Sequence, residues 1–145
     1  MKARVAVVIP CLDEASYIRR CLDSIAASEY PASLVGVFVC DGGSSDGTQE
    51  IVLRYAAQSP GVVLLQNRKK TTPYALNLGI EAAPDADVVI ILGAHAEISR
   101  HYISKSVDVL ESDSTVGCAG GVLESIAEDK RTQAISIAMS SSFGV

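Results

Sequence analysis

With 145 residues, 48% of them hydrophobic and 20% charged, the chain is long enough for one domain that buries about 70% of the surface its unfolded form would expose. A net charge of −5 and a pI near 4.9 supply no basic field for a phosphate backbone, so nucleic acid is excluded as an expected partner. Four cysteines without a CxxC pair, and no apolar run reaching about 18 residues, point to reduced core thiols in a cytoplasmic chain. They argue against a disulfide or zinc framework and against a membrane span.

The elements follow in alternation. Val5 to Ile9 is a continuous apolar run stopped by Pro10, the pattern of a strand buried on both faces. From Glu14 the period becomes helical, with Ile18, Cys21, Leu22 and Ile25 on one face, and the helix is expected to reach Ser28 before Tyr30-Pro31 ends it. Leu34 to Cys40 reads as a second buried strand, followed by Asp41-Gly42-Gly43-Ser44-Ser45-Asp46-Gly47-Thr48. Asp46 stands three residues before Gln49, a capping-box spacing that opens a helix through Ile51, Val52 and Tyr55. Val62 to Leu65 is a third strand. Thr72 and Pro73 read as the N-cap and first residue of a helix through Leu76, Ile80 and Ala83. Val88 to Leu92 is a fourth strand, Ser99 to Leu110 a fourth helix, and Thr115 to Leu123 a fifth strand.

Strands and helices in alternation require right-handed crossovers, hence an α/β fold with an open, mostly parallel, doubly wound sheet. Ligands of such sheets bind beyond the carboxyl ends of the strands. Each polar cluster of interest follows a strand: Asp13-Glu14, Asp41 to Asp46, Arg68-Lys69-Lys70, and His95 with Glu97. All four are expected on one rim. No lysine follows Gly43 to Gly47 in the manner of a phosphate loop, and no GxGxxG follows the first strand, so neither a Walker-type site nor a dinucleotide fingerprint is present. Carboxylates at Glu14, Asp41 and Asp46 can accept from ribose or base, and cations at Arg68, Lys69 and Lys70 can neutralise phosphate. That polarity suits a nucleoside diphosphate.

The bland readings are specific as well. Asp41 can cap a turn, Asp46 an N-terminus, Glu14 can favour a helix dipole, and the basic run can be a solvated surface. His95 can be a loop histidine, and His101 reads as a surface side chain.

The order Pro10-Cys11-Leu12-Asp13-Glu14, then Val39-Cys40-Asp41-Gly42-Gly43-Ser44-Ser45-Asp46-Gly47-Thr48, then Asn77-Leu78-Gly79-Ile80, then a strand into Gly93-Ala94-His95, resembles the family 2 glycosyltransferases of GT-A fold. The likeness is strongest to bacterial enzymes of exopolysaccharide (succinoglycan-type) assembly. It covers about residues 4 to 125. The resemblance implies inverting transfer of a sugar from a nucleoside diphosphate, usually UDP, to the hydroxyl of a saccharide or lipid-linked acceptor, assisted by Mg²⁺ or Mn²⁺. Carried over by position, Pro10 and Glu14 would line base and ribose, Asp41 would receive the base, Lys69 or Lys70 would lie near the phosphates, and Asn77 near the donor. His95 falls at the last position of the family's Asp-x-Asp metal motif, with Gly93 in place of the first carboxylate. If residues 93 to 97 are extended, His95 and Glu97 project to the same side and share one cation.

On this reading residues 1–125 form the nucleotide-sugar-binding domain and 126–145 begin the acceptor-binding half of a longer enzyme. No motif marks Glu128 or Asp129 as the general base, so no catalytic residue is assigned. The apolar residues Ile135, Ile137, Ala138 and Met139 suit packing against further sequence or a second copy, and association with the inner face of the membrane would come through sequence beyond residue 145. The competing class is a nucleotide-binding module without chemistry, with a regulatory or scaffold role. A nucleotidyltransferase is the weaker third, because Cys11 to Glu14 is acidic and lacks glycine.

Overall fold

The computed structural model describes residues 2–122 and 124. Its elements, in chain order, are β1 (Val5–Cys11), α1 (Ile18–Ala26), β2 (Val35–Asp41), α2 (Thr48–Ala56), β3 (Val62–Gln66), α3 (Thr72–Glu81), β4 (Val88–Ile91) and α4 (Tyr102–Ser112), with a short 3₁₀ turn at Ala32–Leu34. The four strands form one sheet in the order β3-β2-β1-β4, every pair parallel.

Strand parity explains which residues are buried where. Val5, Val7, Ile9 and Cys11 point to one face and join Val37, Val39 and Ile90 in a core closed by Ile18, Cys21, Leu22 and Ile25 of α1, Val52 of α2, and Ile103 and Val107 of α4. The alternate residues Val8 and Cys40 meet Ala75 of α3 on the opposite face. Burial of an aliphatic side chain as large as Ile9 or Ile18, both 0% exposed, contributes about 1.5–3 kcal/mol. Helix α3 comes unusually close to the sheet. A Cβ on Gly79 would lie 2.4 Å from Val8 Cγ1, so this helix position requires glycine.

The winding fixes the place of the site. From β1 the chain steps outward to β2 and β3 with α1 and α2 on one face, then returns across the other face through α3 to β4. Direction therefore reverses between β1 and β4, where doubly wound sheets open a crevice at their carboxyl ends.

Several expected boundaries shift for identifiable reasons. Helix α1 begins at Ile18 rather than Glu14, because Glu14 and Ala15 donate their backbone N–H groups across to Thr48 and Asp46. The N-cap of α2 is Gly47, at φ 98°, and Asp46 accepts from Thr48 N one position earlier than a cap residue would. The cap of α3 is Thr71, with Pro73 second in the helix. Strand β4 stops at Ile91. The expected strand from Thr115 is not formed over its described residues, 115–122. Asp113 instead accepts from Thr115 N at 2.8 Å, and Val116 N donates to Asp113 O at 3.0 Å, a local turn of the kind Asp favours. The glycine-rich stretch that follows lies on Tyr102 of α4: a Cβ on Gly121 would be 2.8 Å from the ring. Among the described residues no helix is long and apolar enough to cross a membrane. The expectations for Glu128, Asp129, Ile135, Ile137, Ala138 and Met139, and for the boundary at 125/126, lie outside the described residues.

Candidate functional site

The carboxyl ends of β1 and β2 are joined by a seam of hydrogen bonds. Cys11 O accepts from Gly42 N at 2.8 Å. Asp13, held at φ 53°, donates its N–H to Ser44 Oγ at 2.8 Å and accepts from Ser45 N at 2.8 Å. Glu14 N donates to Thr48 Oγ1 and Ala15 N to Asp46 Oδ2, both at 2.9 Å. Two hydroxyls work in both directions. Ser44 Oγ accepts from Asp13 N and donates to Asp41 Oδ1. Thr48 Oγ1 accepts from Glu14 N and donates to Asp46 Oδ1 at 2.5 Å.

Asp41 is the hub of its loop. It is 0% exposed, and its Oδ2 accepts from Gly43 N at 2.8 Å, Ser44 N at 3.0 Å and Gln49 Nε2 at 2.7 Å, while Oδ1 takes the Ser44 hydroxyl. A carboxylate offers about four acceptor positions, and the chain itself engages both oxygens, three times at Oδ2 and once at Oδ1. The role assigned by resemblance, reception of the base, thus falls on an enclosed group that here organises residues 42–46. Asp46 is held below the usual carboxylate range, first by the Thr48 hydroxyl and then by the N–H of Ala15. The thiol of Cys11 beneath the seam is pushed up to about 12, by burial first and then by the negative charges of Asp41, Glu14 and Asp46.

The loop after β3 docks on the same rim. Asn67 N donates to Asp41 O at 2.7 Å, Lys70 N to Asn67 O at 3.1 Å, and Asn67 Nδ2 to Thr71 O at 3.0 Å. Lys70 adopts φ 57°, and its side chain runs over Gly43, where a Cβ would stand 3.7 Å from Nζ. Gly43, at φ 93°, leaves that space free. Lys69 Nζ lies 4.5 Å from the ring centre of Tyr74. Pro10 is half-buried at the end of β1, and Asn77 is exposed in the middle of α3 without a hydrogen bond to these loops among the described residues.

The end of β4 completes the rim and corrects one expectation. Residues 93 to 97 are not extended, because Ala96 N donates to Gly93 O at 3.0 Å and turns the chain. His95 and Glu97 accordingly find separate partners. His95 Nδ1 lies 3.2 Å from Glu14 Oε1, across the β1/β4 crevice, whereas Glu97 pairs with Arg20 of α1 at 3.6 Å. Among the described residues no group of three His, Cys, Asp or Glu side chains forms a metal cluster. The donor set at the crevice is one imidazole beside one carboxylate. It suits an ion that takes most of its ligands from a diphosphate and water, as Mg²⁺ does in many phosphate sites, with the imidazole favouring Mn²⁺.

Asp41, Lys70, Glu14 and His95 therefore share one rim, as the strand ends suggest. Ser44, Thr48, Gln49 and Asn67 hold that rim together and lie outside the expected set of site residues. The readable signal was the pair of hydroxyl residues flanking Asp46, a composition suited to side-chain-capped turns.

Comparisons with known proteins bear on the family and the fold. The family described as "Glycosyl transferase family 2" matches residues 6–142. The succinoglycan biosynthesis protein ExoA of Rhizobium meliloti (strain 1021) is 36% identical over 103 residues, covering 70% of this chain and 31% of that protein. The mannosyltransferase PcManGT of Pyrobaculum calidifontis, solved with GDP-Man and Mn²⁺, superposes with a TM-score of 0.72 at 32% identity, over 81% of this chain and 34% of that one. Glucosyl-3-phosphoglycerate synthase of Mycobacterium tuberculosis, solved with Mn²⁺, UDP and glucosyl-3-phosphoglycerate, gives a TM-score of 0.54 at 25% identity, over 74% of this chain and 39% of that one. The chain thus spans about a third of the length of these relatives.

Proposed function

The chain belongs to glycosyl transferase family 2, and from that membership we propose that it is the donor-binding part of an inverting glycosyltransferase of bacterial polysaccharide biosynthesis. It takes a nucleoside-diphosphate sugar, UDP-sugar being the first donor to test, and the acceptor is a saccharide or lipid-linked hydroxyl. The observation that carries the reading is the meeting of four strand ends on one rim, cationic at Lys70 over the β2 loop and acidic at Glu14, which faces His95 across the β1/β4 crevice. Similarity to ExoA supports the polysaccharide role, and the Mn²⁺ named with PcManGT and the synthase supports a divalent ion.

The residues have distinct tasks in this reading. Lys70, fixed over Gly43, and Lys69 neutralise the diphosphate. A lysine ammonium suits this as a compact point charge. Glu14 and His95 would hold the ion. When bound, that ion offsets charge developing on the departing diphosphate, a Lewis-acid contribution of several kcal/mol. The β1–β2 seam keeps these groups in register before donor arrives, so ordering them takes little from the binding energy.

Titration calorimetry with UDP tests the reading. UDP binds, Mn²⁺ tightens it by about tenfold, equal to about 1.4 kcal/mol, and His95→Ala abolishes that gain. No heat with UDP in either condition would remove the donor-site assignment. UDP binding that is indifferent to Mn²⁺ would leave a nucleotide-binding module without metal-assisted chemistry.

A further inference from the structure

Resting on the donor-site reading, we infer that Asn67 is a positioning residue for the donor diphosphate, acting through Lys70, which it holds in the backbone conformation that lays the ammonium over Gly43. Asn67 is 5% exposed. Its N–H donates to Asp41 O at 2.7 Å, its O accepts from Lys70 N at 3.1 Å to close a turn over Arg68 and Lys69, and its Nδ2 donates to Thr71 O at 3.0 Å. Thr71 O also takes a bond from Ala75 N, at 3.1 Å, in the first turn of α3. The basic run is therefore tied to β2 at one end and to the start of α3 at the other. Asp41 is the common reference, because its backbone O holds Asn67 while its Oδ2 accepts from Gly43 N. The lysine and the backbone it lies over hang from one buried residue.

This turn carries features that stability alone does not explain. Asn67 Oδ1 is buried without a hydrogen-bond partner, and an unsatisfied buried acceptor has lost its hydration with nothing in exchange. Lys70 sits at φ 57°, a region that glycine enters freely and lysine does not. Such conformations persist where the surrounding structure over-determines them, and they gather at ligand sites. What they provide here is a lysine stem directed over Gly43, where a Cβ would meet Cε at 3.6 Å and Nζ at 3.7 Å. Lys69 is held differently: its Nζ lies 4.5 Å from the ring centre of Tyr74 on α3, so that ring, and not the Asn67 amide, directs its charge. An ammonium set in place before ligand arrives avoids the ordering of a rotamer-rich side chain on binding, an effect of about two- to tenfold in affinity.

The test is a pair of double-mutant cycles read by titration calorimetry with UDP at one Mn²⁺ concentration, combining Asn67→Ala with Lys70→Met in one and with Lys69→Met in the other. Asn67→Ala weakens UDP by about two- to tenfold in the parent chain. The same change costs less than about twofold once Lys70 is replaced, and its full factor when Lys69 is replaced instead, because only residues that act through one another depart from additivity. A residue that merely supported the loop would act alike on both backgrounds. Should Asn67→Ala fail to fold by circular dichroism, Asn67→Ser carries the same cycles, since its hydroxyl still favours a turn but is one atom too short to replace the amide at Thr71 O. An Asn67 effect of full size in the Lys70→Met chain, or none in the parent, would overturn the inference and leave the donor-site reading standing. No binding of UDP by the parent would remove that reading and the inference with it.

Discussion

Replacing Gly79 by alanine tests the packing that sets α3, and with it the basic loop, against the sheet. The added Cβ would stand 2.4 Å from Val8 Cγ1 and 2.9 Å from Cγ2. Ordinary contact begins near 3.4 Å, so the helix must withdraw by about 1 Å or Val8, 0% exposed, must leave its rotamer. Overpacking of this kind costs about 1–3 kcal/mol, offset by up to about 1 kcal/mol from the better helix propensity of alanine. A contact as short as 2.4 Å puts the cost in the upper part of that range, about 2–3 kcal/mol, so a net loss of about 1–2 kcal/mol follows. Val8→Ala removes both colliding methyl groups and by itself costs about 2 kcal/mol, from two lost carbons and the cavity they leave. Together the two changes relieve each other, so the double variant is more stable than the sum of the singles implies by about 1 kcal/mol or more. Urea unfolding followed by circular dichroism, with m-values compared to confirm a common unfolded state, measures all four corners of the cycle. A Gly79→Ala chain as stable as the parent, or single effects that simply add, would refute the account of why α3 carries glycine there.

The remaining predictions concern the site and its surroundings. Gly93→Asp fits without collision, since a Cβ there meets His95 Cε1 and Nε2 at 3.7 Å; the second carboxylate raises Mn²⁺ affinity of the UDP-loaded chain about tenfold through added ligand charge, and unchanged manganese binding by electron paramagnetic resonance would count against a metal at His95. Burial first of all pushes Cys11 and Cys21 up to about 12 and Cys40 to about 11, whereas Cys118 is exposed; a thiol reagent at pH 8 therefore labels one cysteine in the native chain and all four in urea, and rapid native labelling of two or more would contradict the buried positions. The carboxyl of Asp46 is depressed below its ordinary 3.8, so the stability it contributes is full above that value and is lost as pH falls through the depressed folded-state value. Asp46→Asn removes that dependence, which acid-unfolding curves of the two chains below about pH 4 detect, and parallel curves would show that the seam does not use the charge.

Much of the fold is legible in the sequence because parallel strands buried on both faces leave unbroken apolar runs, as at Val5 to Ile9 and Val35 to Val39. The carboxyl-end rule then locates the rim without any knowledge of side-chain contacts. What the sequence conceals is pairing. Nothing in the spacing of His95 and Glu97 announces that Ala96 N turns back to Gly93 O, or that Glu14, 81 residues earlier, is the carboxylate beside the imidazole. The strand expected from Thr115 and not formed over residues 115–122 has a similar cause: the alternation competes with an Asp113 turn and with glycines at 117, 120 and 121, and local hydrogen bonding wins where glycine weakens the strand.

Asp41 shows how one enclosed carboxylate can set the shape of the loop around it. A buried carboxylate is tolerable only when hydrogen-bonded, and here the bonds come from Gly43, Ser44 and Gln49, so satisfying Asp41 dictates the shape of the loop. The same loop then passes its order outward. Ser44 and Thr48 each turn one hydroxyl toward a carboxylate of the β2 loop and accept an N–H from the β1 loop, which fixes Asp13 and Glu14. Glu14 in turn reaches His95 across the crevice where the winding reverses. Order thus runs from one enclosed charge, through the Ser44 and Thr48 hydroxyls, to the exposed groups of the rim.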